Sequence, residues 1–209
     1  MKLHKIVVSP DSFKESLSAK EVAEICSKKI LERIPDGEII SVPLADGGEG
    51  TLEIFSDLPG YEIISCEISG PLFEKINSRF LYNSHTREAI IESALVCGLN
   101  LVGETGRNPL FTTSSGLGEM ILKCIEEGSK IINIFLGGTS THDGGMGMLS
   151  ALGYEFLDAD GNGLQGKGEN LIKVKRISVK KDPRLDAVSF RIFSDVNNIL
   201  LGKENGSII

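Results

Sequence analysis

Short apolar runs alternate with longer stretches of helical spacing along the first third of the chain. Ser18 and Glu21 form the S-x-x-E pattern of a capping box, so a helix is expected to begin there. Strands are predicted at 4–9, where the run is typical of a buried strand, and at 38–44 and 61–68, with helices at 18–34 and near 50–57. This βαβαβ order is typical of parallel strands joined by right-handed crossovers, with a ligand crevice at their carboxyl ends.

The pattern changes after Gly70, and a second domain is expected to start near there. Thr112 to Ser114 offer N-caps for a helix with one apolar stripe, and Gly128 closes that helix. Further strands are predicted at 78–83, 88–93, 130–136, 154–157, 171–179 and 188–194, and another helix at about 146–152. The chain is therefore predicted to be an α/β protein, divided into domains at 1–68 and 69–209.

Composition narrows the classes of partner. The 209 residues include 24 glycines, more than the average usage of about 7%, which indicates many tight turns. The net charge is −7 and there is no block of Lys and Arg, which argues against nucleic acid or an acidic membrane as the main partner. Small phosphorylated ligands stay compatible with this net charge, because the N–H groups of a glycine turn and a bound metal ion can attract an anion locally.

The cysteines and the apolar runs also exclude some classes. Cys26, Cys66, Cys97 and Cys124 lie far apart without a CxxC pair, so neither a zinc knuckle nor a redox dithiol is supported. The chain begins directly with a strand-like run, and no apolar run approaches the ~20 residues that a membrane helix needs. A cytoplasmic protein is expected.

Two glycine-rich turns that contain acids are the strongest chemical signal. The first turn spans 44–51 and contains Asp46, and the second turn spans 137–145 and contains Asp143. Each follows an apolar strand and precedes a helix, so bare N–H groups and a helix amino terminus would face an anion such as phosphate. A carboxylate beside phosphate requires Mg²⁺ or a proton. The alternatives are that Asp46 only caps the next helix and that the second turn is purely structural.

A third candidate segment joins the first strand to the first helix. In it, Lys14 could hold a phosphate or carboxylate while Ser12 and Ser16 donate hydrogen bonds. Ordinary loop and cap chemistry explains these residues equally well. Asp195 follows the last predicted strand and adds another acid at a strand end, whereas His142 is interpreted as a hydrogen-bonding loop residue rather than a ligand.

Several common motifs are absent or out of context. Neither the Walker pattern GxxxxGK[ST] nor the GxGxxG fingerprint occurs, so a P-loop enzyme and a dinucleotide fold are not supported. Residues 158–169 fit the EF-hand calcium-loop pattern, but strand-like runs flank them where an EF-hand needs helices. A glycine-rich β connection is the better interpretation.

Taken together, the motifs resemble the glycerate kinase family, specifically its type-1 sequence family. The resemblance covers the entire chain. It is carried by PDSFKESLSA at 10–19, PLADGGEGT at 43–51, RNPLFTTSSGLGEMI at 107–121, LGGTSTHDGGMGMLSALGYEFLDADGNGL at 136–164 and SDVNNILLG at 194–202.

The resemblance implies transfer of the ATP γ-phosphoryl group to D-glycerate, giving 2-phosphoglycerate or 3-phosphoglycerate. It also implies a two-domain glycerate-kinase-like architecture with a Rossmann-like or flavodoxin-like first domain, a parallel sheet and the active site in the cleft. The implied cofactors are ATP and Mg²⁺, and the implied partners are glycerate and nucleotide, with no nucleic acid and no membrane.

The resemblance and the chemistry together nominate the site residues. The expected catalytic residues are Lys14, Asp46, Asp143 and Asp195, and the three aspartates are also the expected Mg²⁺ ligands. Which aspartate acts as the base is left open. The expected substrate and phosphate contacts are Ser12, Ser16, Gly47, Gly48, Gly137, Gly138, Thr139 and Thr141.

Family chains continue well past residue 209, so this chain is expected to be truncated, with both domains incomplete. Two hypotheses follow. The chain is a glycerate kinase fragment, or one part of a split enzyme completed by a separate carboxyl-terminal polypeptide; alternatively, it is a non-catalytic remnant that at most binds glycerate or a phosphate anion. A homo-oligomer is a further alternative for its partners.

Overall fold

The computed structural model describes residues 5–14, 16–180 and 182–196. The strands are β1 Lys5–Val8, β2 Glu38–Ser41, β3 Tyr61–Ser69, β4 Lys75–Asn83, β5 Glu88–Glu92, β6 Ile131–Phe135, β7 Tyr154–Leu157, β8 Arg176–Val179 and β9 Ser189–Phe193. The α-helices are α1 Ala19–Arg33, α2 Thr51–Phe55, α3 Ala94–Cys97, α4 Ser115–Glu126 and α5 Met146–Ala151. Short 3₁₀ helices lie at Leu99–Leu101, Glu104–Gly106, Gly168–Lys173 and Pro183–Ala187. The α/β class predicted from the sequence is confirmed.

The largest sheet has the strand order β3-β4-β5-β6-β9. Its first two pairings are antiparallel, and β5, β6 and β9 run parallel to one another. In register, Glu92 lies opposite Phe135, and Phe135 lies opposite Phe193. The carboxyl ends of three strands therefore meet at one edge of the sheet, where loops can build a ligand site.

Helix α4 covers one face of this sheet. Its apolar stripe is buried, as the helical spacing predicted, and consists of Leu117, Met120, Ile121, Cys124 and Ile125. The stripe packs in one cluster with Ile68, Phe80, Ile91 and Ile132 of the sheet. Full burial of each such side chain contributes about 1.5–3 kcal/mol, so this layer supplies a large part of the folding free energy.

Strands β1 and β2 form a separate parallel pair. The capping box of α1 is confirmed, because the Glu21 N–H donates to Ser18 Oγ and the Ser18 N–H donates to the Glu21 carboxylate at 2.8 Å. The expectation that the first strand is buried is wrong. Val7 is 62% exposed and Leu44, beyond β2, is 51% exposed. Among the described residues, no further strand pairs with β1 or β2, so apolar surface is left uncovered.

The third strand corrects the βαβαβ prediction. β3 pairs with β4 along its whole length, antiparallel, from Tyr61 opposite Asn83 to Ser69 opposite Lys75. The tight turn closed by the Gly70 N–H and the Glu74 carbonyl returns the chain directly, and such a hairpin needs no crossover. β3 therefore belongs to the large sheet. The division of the chain into domains at residue 68 stays a prediction.

Strands β7 and β8 form an antiparallel pair around the EF-hand-like sequence. The Asp158 carboxylate accepts the N–H groups of Asp160 and Asn162, so it closes its own turn. The interpretation of this segment as a glycine-rich β connection is confirmed. The strand predicted at 171–179 is shorter, since a 3₁₀ helix occupies Gly168–Lys173 and β8 begins at Arg176.

In the portion of the chain that the structure describes, no helix is long and apolar enough to cross a membrane. Residues 197–202 of the last family-like motif, and Glu15 of the first, lie outside the described residues.

Candidate active site

The two glycine turns meet through their backbones. A β-carbon on Gly137 would lie 2.5 Å from the Gly48 Cα and 2.9 Å from the Gly47 carbonyl oxygen. Real β-carbons do not tolerate such distances, so only glycine fits at position 137. The first turn follows β2 and the second follows β6, and their contact joins the small parallel pair to the large sheet.

Asp46 shapes the first turn but does not cap the next helix. Its Oδ1 accepts the Gly48 N–H at 2.8 Å, two residues along the chain. Helix α2 begins instead after Gly50, whose left-handed φ of +89° favours glycine. The interpretation of Asp46 as a simple helix cap is therefore wrong, and one of its oxygens is left facing Lys14.

The cap of α2 comes from a residue that the sequence analysis missed. Glu92, at the end of β5 and only 1% exposed, accepts the Leu52 N–H at 2.7 Å and the Gly50 N–H at 3.2 Å. Burial raises the pKa of this carboxyl, and the two N–H donors oppose that shift. The sequence did contain a signal for this role. Glu92 directly follows the apolar residues of β5, where a buried carboxylate without hydrogen-bond donors would be costly.

Asp143 is buried and both of its carboxylate oxygens accept hydrogen bonds. Oδ2 accepts the N–H and hydroxyl of Ser114 and the Gly147 N–H, and Oδ1 accepts the Gly145 N–H, all at 2.8–3.0 Å. The aspartate therefore ties the starts of α4 and α5 to the second turn. Oδ2 is filled by three protein donors, whereas Oδ1 accepts one N–H and keeps a single acceptor site, so the capacity for a metal ion or an attacking hydroxyl is small.

One cavity lies beside the first turn and is called the Lys14 cavity. Its volume is about 380 Å³. It is lined by Ser12, Phe13, Lys14, Ser16, Leu17, Ser18, Glu49, Gly50 and Glu53. The Lys14 Nζ lies 3.7 Å from Asp46 Oδ2, and its side chain is 80% exposed. The lining thus combines one cation, three serines and the two acids Glu49 and Glu53 with apolar surface.

A second cavity, called the Thr139 cavity, lies over the second turn and has a volume of about 500 Å³. Its polar wall contains Thr139, Thr141, His142, Asp143, Gly144 and Gly145, and its apolar wall contains Leu117, Ile134, Leu136, Met148, Leu171 and Ile192. Cys97 also lines it, and burial raises the pKa of that thiol to about 12. A large apolar wall opposite a glycine turn suits a ligand with a flat ring and an anionic tail.

The three predicted aspartates do not converge. Asp46 lies beside the Lys14 cavity, Asp143 lines the Thr139 cavity, and Asp195 is exposed beyond β9. Within residues 5–14, 16–180 and 182–196, no group of three or more His, Cys, Asp or Glu side chains is arranged to hold a metal ion. A shared Mg²⁺ site of these three acids stays a prediction.

The other predicted site residues divide between the two cavities. Ser12, Lys14 and Ser16 line the Lys14 cavity, and Thr139 and Thr141 line the Thr139 cavity. Gly47, Gly48 and Gly137 form the backbone contact between the turns, and the N–H of Gly138 donates to no acceptor among the described residues. Of these nine residues, five line one of the two cavities and the four glycines line neither.

Known proteins resemble this chain closely. The family model described as "Glycerate kinase family" matches residues 6–209. "Glycerate kinase" of Haemophilus influenzae is 41% identical and "Glycerate 2-kinase" of Escherichia coli K12 is 43% identical, each over 98% of this chain and 54% of the relative. The crystal structure of putative glycerate kinase 2 from Salmonella typhimurium LT2 superposes with a TM-score of 0.81 at 41% identity, covering 99% of this chain and 56% of that one. The chain spans about half the length of the curated relatives it matches.

Proposed function

Because this chain belongs to the glycerate kinase family, we propose that it serves the ATP-dependent phosphorylation of D-glycerate to 2-phosphoglycerate. The observation that carries the proposal is the backbone contact between Gly48 and Gly137, since Glu49, next to Gly48, lines the Lys14 cavity and Leu136, next to Gly137, lines the Thr139 cavity. The name of the Escherichia coli relative supports the 2-position over the 3-position.

Glycerate fits the Lys14 cavity. The substrate is small, carries one carboxylate and offers two hydroxyls, so it needs a cation and several hydrogen-bonding groups. Lys14 supplies the positive charge, and Ser12 and Ser16 supply hydroxyls in the same cavity. In this assignment, Lys14 contacts either the glycerate carboxylate or the transferred phosphoryl group.

The nucleotide fits the Thr139 cavity. Its apolar wall can pack against the base, while Thr139 and Thr141 offer hydroxyls to the phosphates. Among the described residues, no protein acceptor takes the N–H groups of Gly138 and Gly144, so these donors are open to an anion. Phosphoryl transfer depends mainly on such positioning and charge neutralisation.

Asp46 is the best candidate for the general base. Its Oδ1 is held by the Gly48 N–H, while Oδ2 lies 3.7 Å from the Lys14 Nζ. Asp143 is assigned a positioning role, because four protein donors occupy its oxygens. A general base typically contributes about 10²- to 10⁴-fold to the rate.

Mg²⁺ would neutralise charge on the nucleotide phosphates. It usually binds one or two carboxylates together with phosphate oxygens. Asp46 would provide Oδ2, which pairs with the Lys14 ammonium at 3.7 Å, and Asp195, at the same sheet edge as the second turn, is the second candidate. Asp143 fits poorly, for the reason given above.

The test is a phosphorus NMR assay with ATP, Mg²⁺ and D-glycerate. A phosphate on the secondary carbon couples to one proton and gives a doublet, whereas a phosphate on the primary carbon couples to two protons and gives a triplet. Lys14→Met should lower the rate by at least about 10²-fold. Lys29→Met is the matched control, since Lys29 is also exposed but pairs with Glu32 on α1. Equal rates for the two variants would contradict the assignment.

A second candidate function is binding without catalysis. It is favoured by the uncovered apolar surface of β1 and β2. The assay is therefore run on this chain alone and again after mixing with the polypeptide that corresponds to the rest of a relative. Activity only on mixing supports a split enzyme. Phosphate binding without turnover in both cases supports the binding protein.

A cytoplasmic location, where ATP is available, is part of the proposal. Association with a second copy of the chain or with a separate polypeptide stays a prediction, and the mixing experiment addresses the latter directly.

A further inference from the structure

We infer that Glu92 and Ser93, adjacent residues at the carboxyl end of β5, are positioning residues that hold the two glycine turns against each other. Glu92 binds the first turn and Ser93 binds the second. The role in phosphoryl transfer rests on the proposed function, but the positioning itself is a property of the free protein and is tested separately.

Glu92 controls the first turn through helix α2. Its carboxylate accepts the N–H groups of Gly50 and Leu52, which flank Thr51 at the start of that helix. The first helical residue, Thr51, then donates its hydroxyl to the Gly48 carbonyl at 2.8 Å. Glu92 therefore holds the residues on both sides of Thr51, and Thr51 in turn bonds Gly48, the residue that touches Gly137.

Ser93 controls the second turn from the next position along the chain. Its N–H donates to the Phe135 carbonyl at 3.0 Å, and its hydroxyl donates to the Gly137 carbonyl at 3.3 Å. Ser93 is fully buried, so water does not compete for these contacts. The end of β5 thereby fixes where the chain leaves β6 and enters the second turn.

Among the described residues, the Glu92 carboxylate makes no hydrogen bond outside the start of α2. Its hydrogen bonds go to Gly50 and Leu52, and the charged groups that face it are Glu49, which opposes its ionisation, and Arg79, which favours it. Burying a carboxylate is costly unless donors compensate. An apolar side chain would serve the sheet as well, so the acid is explained by its hold on the turn.

The experiment is amide hydrogen exchange, measured by mass spectrometry on the ligand-free full chain. Glu92→Gln replaces one accepting oxygen by an NH₂ group, so exchange in peptides covering 47–52 should become roughly tenfold faster than in the parent protein. Ser93→Ala should accelerate exchange in peptides covering 137–140. The buried β4 and α4 peptides should stay unchanged in both variants.

Glu119→Gln is the matched control. Glu119 also accepts a backbone N–H, from Ser69 at 2.8 Å, but it makes no hydrogen bond with either turn. It should leave exchange in both turns unchanged. If Glu92→Gln does not fold, Glu92→Asp, which keeps the charge on a shorter side chain, and Ser93→Ala decide the matter.

Acceleration confined to the two turns supports the inference, and uniform acceleration across the chain, or none, overturns it. Titration with inorganic phosphate and with ATP is a second readout on the same variants. Faster exchange without any phosphate or ATP binding in the parent protein would leave the positioning inference standing while contradicting the proposed function.

Discussion

Gly48 and Gly137 touch without side chains: a β-carbon on Gly137 would lie 2.7 Å from the Gly48 nitrogen and 2.5 Å from its Cα. The two residues belong to turns far apart in sequence, each at the carboxyl end of a strand. Glu49, next to Gly48, lines the Lys14 cavity, and Leu136, next to Gly137, lines the Thr139 cavity.

Gly137→Ala is expected to separate the two turns. The new methyl group would collide with backbone rather than with a flexible side chain, so the free energy of unfolding should fall by about 1–3 kcal/mol. ATP binding should weaken as well. Urea denaturation and a nucleotide titration measure the two effects.

Gly103→Ala is the control for that substitution, because no heavy atom lies within 4 Å of its β-carbon position and its φ is −58°. Its stability should change by less than about 0.5 kcal/mol. Equal unfolding curves for the two alanine variants would contradict the tight contact.

Asp143→Asn should destabilise the fold more than Asp46→Asn. In Asp143→Asn, an NH₂ group would face N–H and O–H groups that now donate hydrogen bonds to the carboxylate. Each buried donor that loses its acceptor costs about 1–3 kcal/mol. Asp46 is more exposed and accepts one backbone N–H, so its substitution should cost less than about 1 kcal/mol. Thermal unfolding of both variants gives the comparison, and the reverse order would refute the positioning role of Asp143.

Cys97 should react slowly with alkylating agents although it lines the Thr139 cavity. With its pKa raised to about 12, the thiolate fraction at pH 8 is on the order of 10⁻⁴. Iodoacetamide should therefore modify the half-buried Cys26 first, as followed by peptide mass spectrometry. Unfolding the protein in urea should abolish the difference. Labelling of Cys97 as fast as Cys26 in the native state would be inconsistent with this burial.

The stability contribution of Glu92 should depend on pH. Its folded-state pKa is raised above the ordinary value of 4.5, mainly by burial, so the protonated form is the one that folding favours. The contribution is fully present below pH 4.5 and is lost as the pH rises through the folded pKa. The unfolding free energy of the parent protein minus that of Glu92→Gln should therefore decrease from pH 4 to pH 8.

Urea unfolding at several pH values measures that difference, and other titrating groups cancel between the two proteins. Glu49 and Arg79 are the charged groups that face Glu92, so Glu49→Gln should reduce the slope. A difference that stays constant over this range would contradict the shifted pKa.

Local features were predictable from the sequence. The capping box of Ser18 and Glu21 and the apolar stripe of α4 depend on residues three or four positions apart, and both occur as expected. The glycine turns were also located correctly between strand and helix.

Long-range pairings were not predictable in the same way. β3 joins β4 through a hairpin, and spacing alone does not distinguish this from a parallel arrangement. The bond of Glu92 to Leu52 spans 40 residues, and Ser114 reaches Asp143 across 29. The sequence therefore nominated residues for chemistry, whereas only the fold showed that four protein donors bond the Asp143 carboxylate and that one backbone N–H bonds Asp46.

The exposed apolar surface of strands β1 and β2 affects dye binding and self-association of the protein in solution. Val7 and Leu44 expose apolar surface to water. They lie beside strand edges whose backbone groups pair with no further strand among the described residues. Preparations should bind a dye such as anilinonaphthalene sulfonate while fully folded, and their light scattering should climb with concentration. The measurements proposed above should therefore be made on dilute samples.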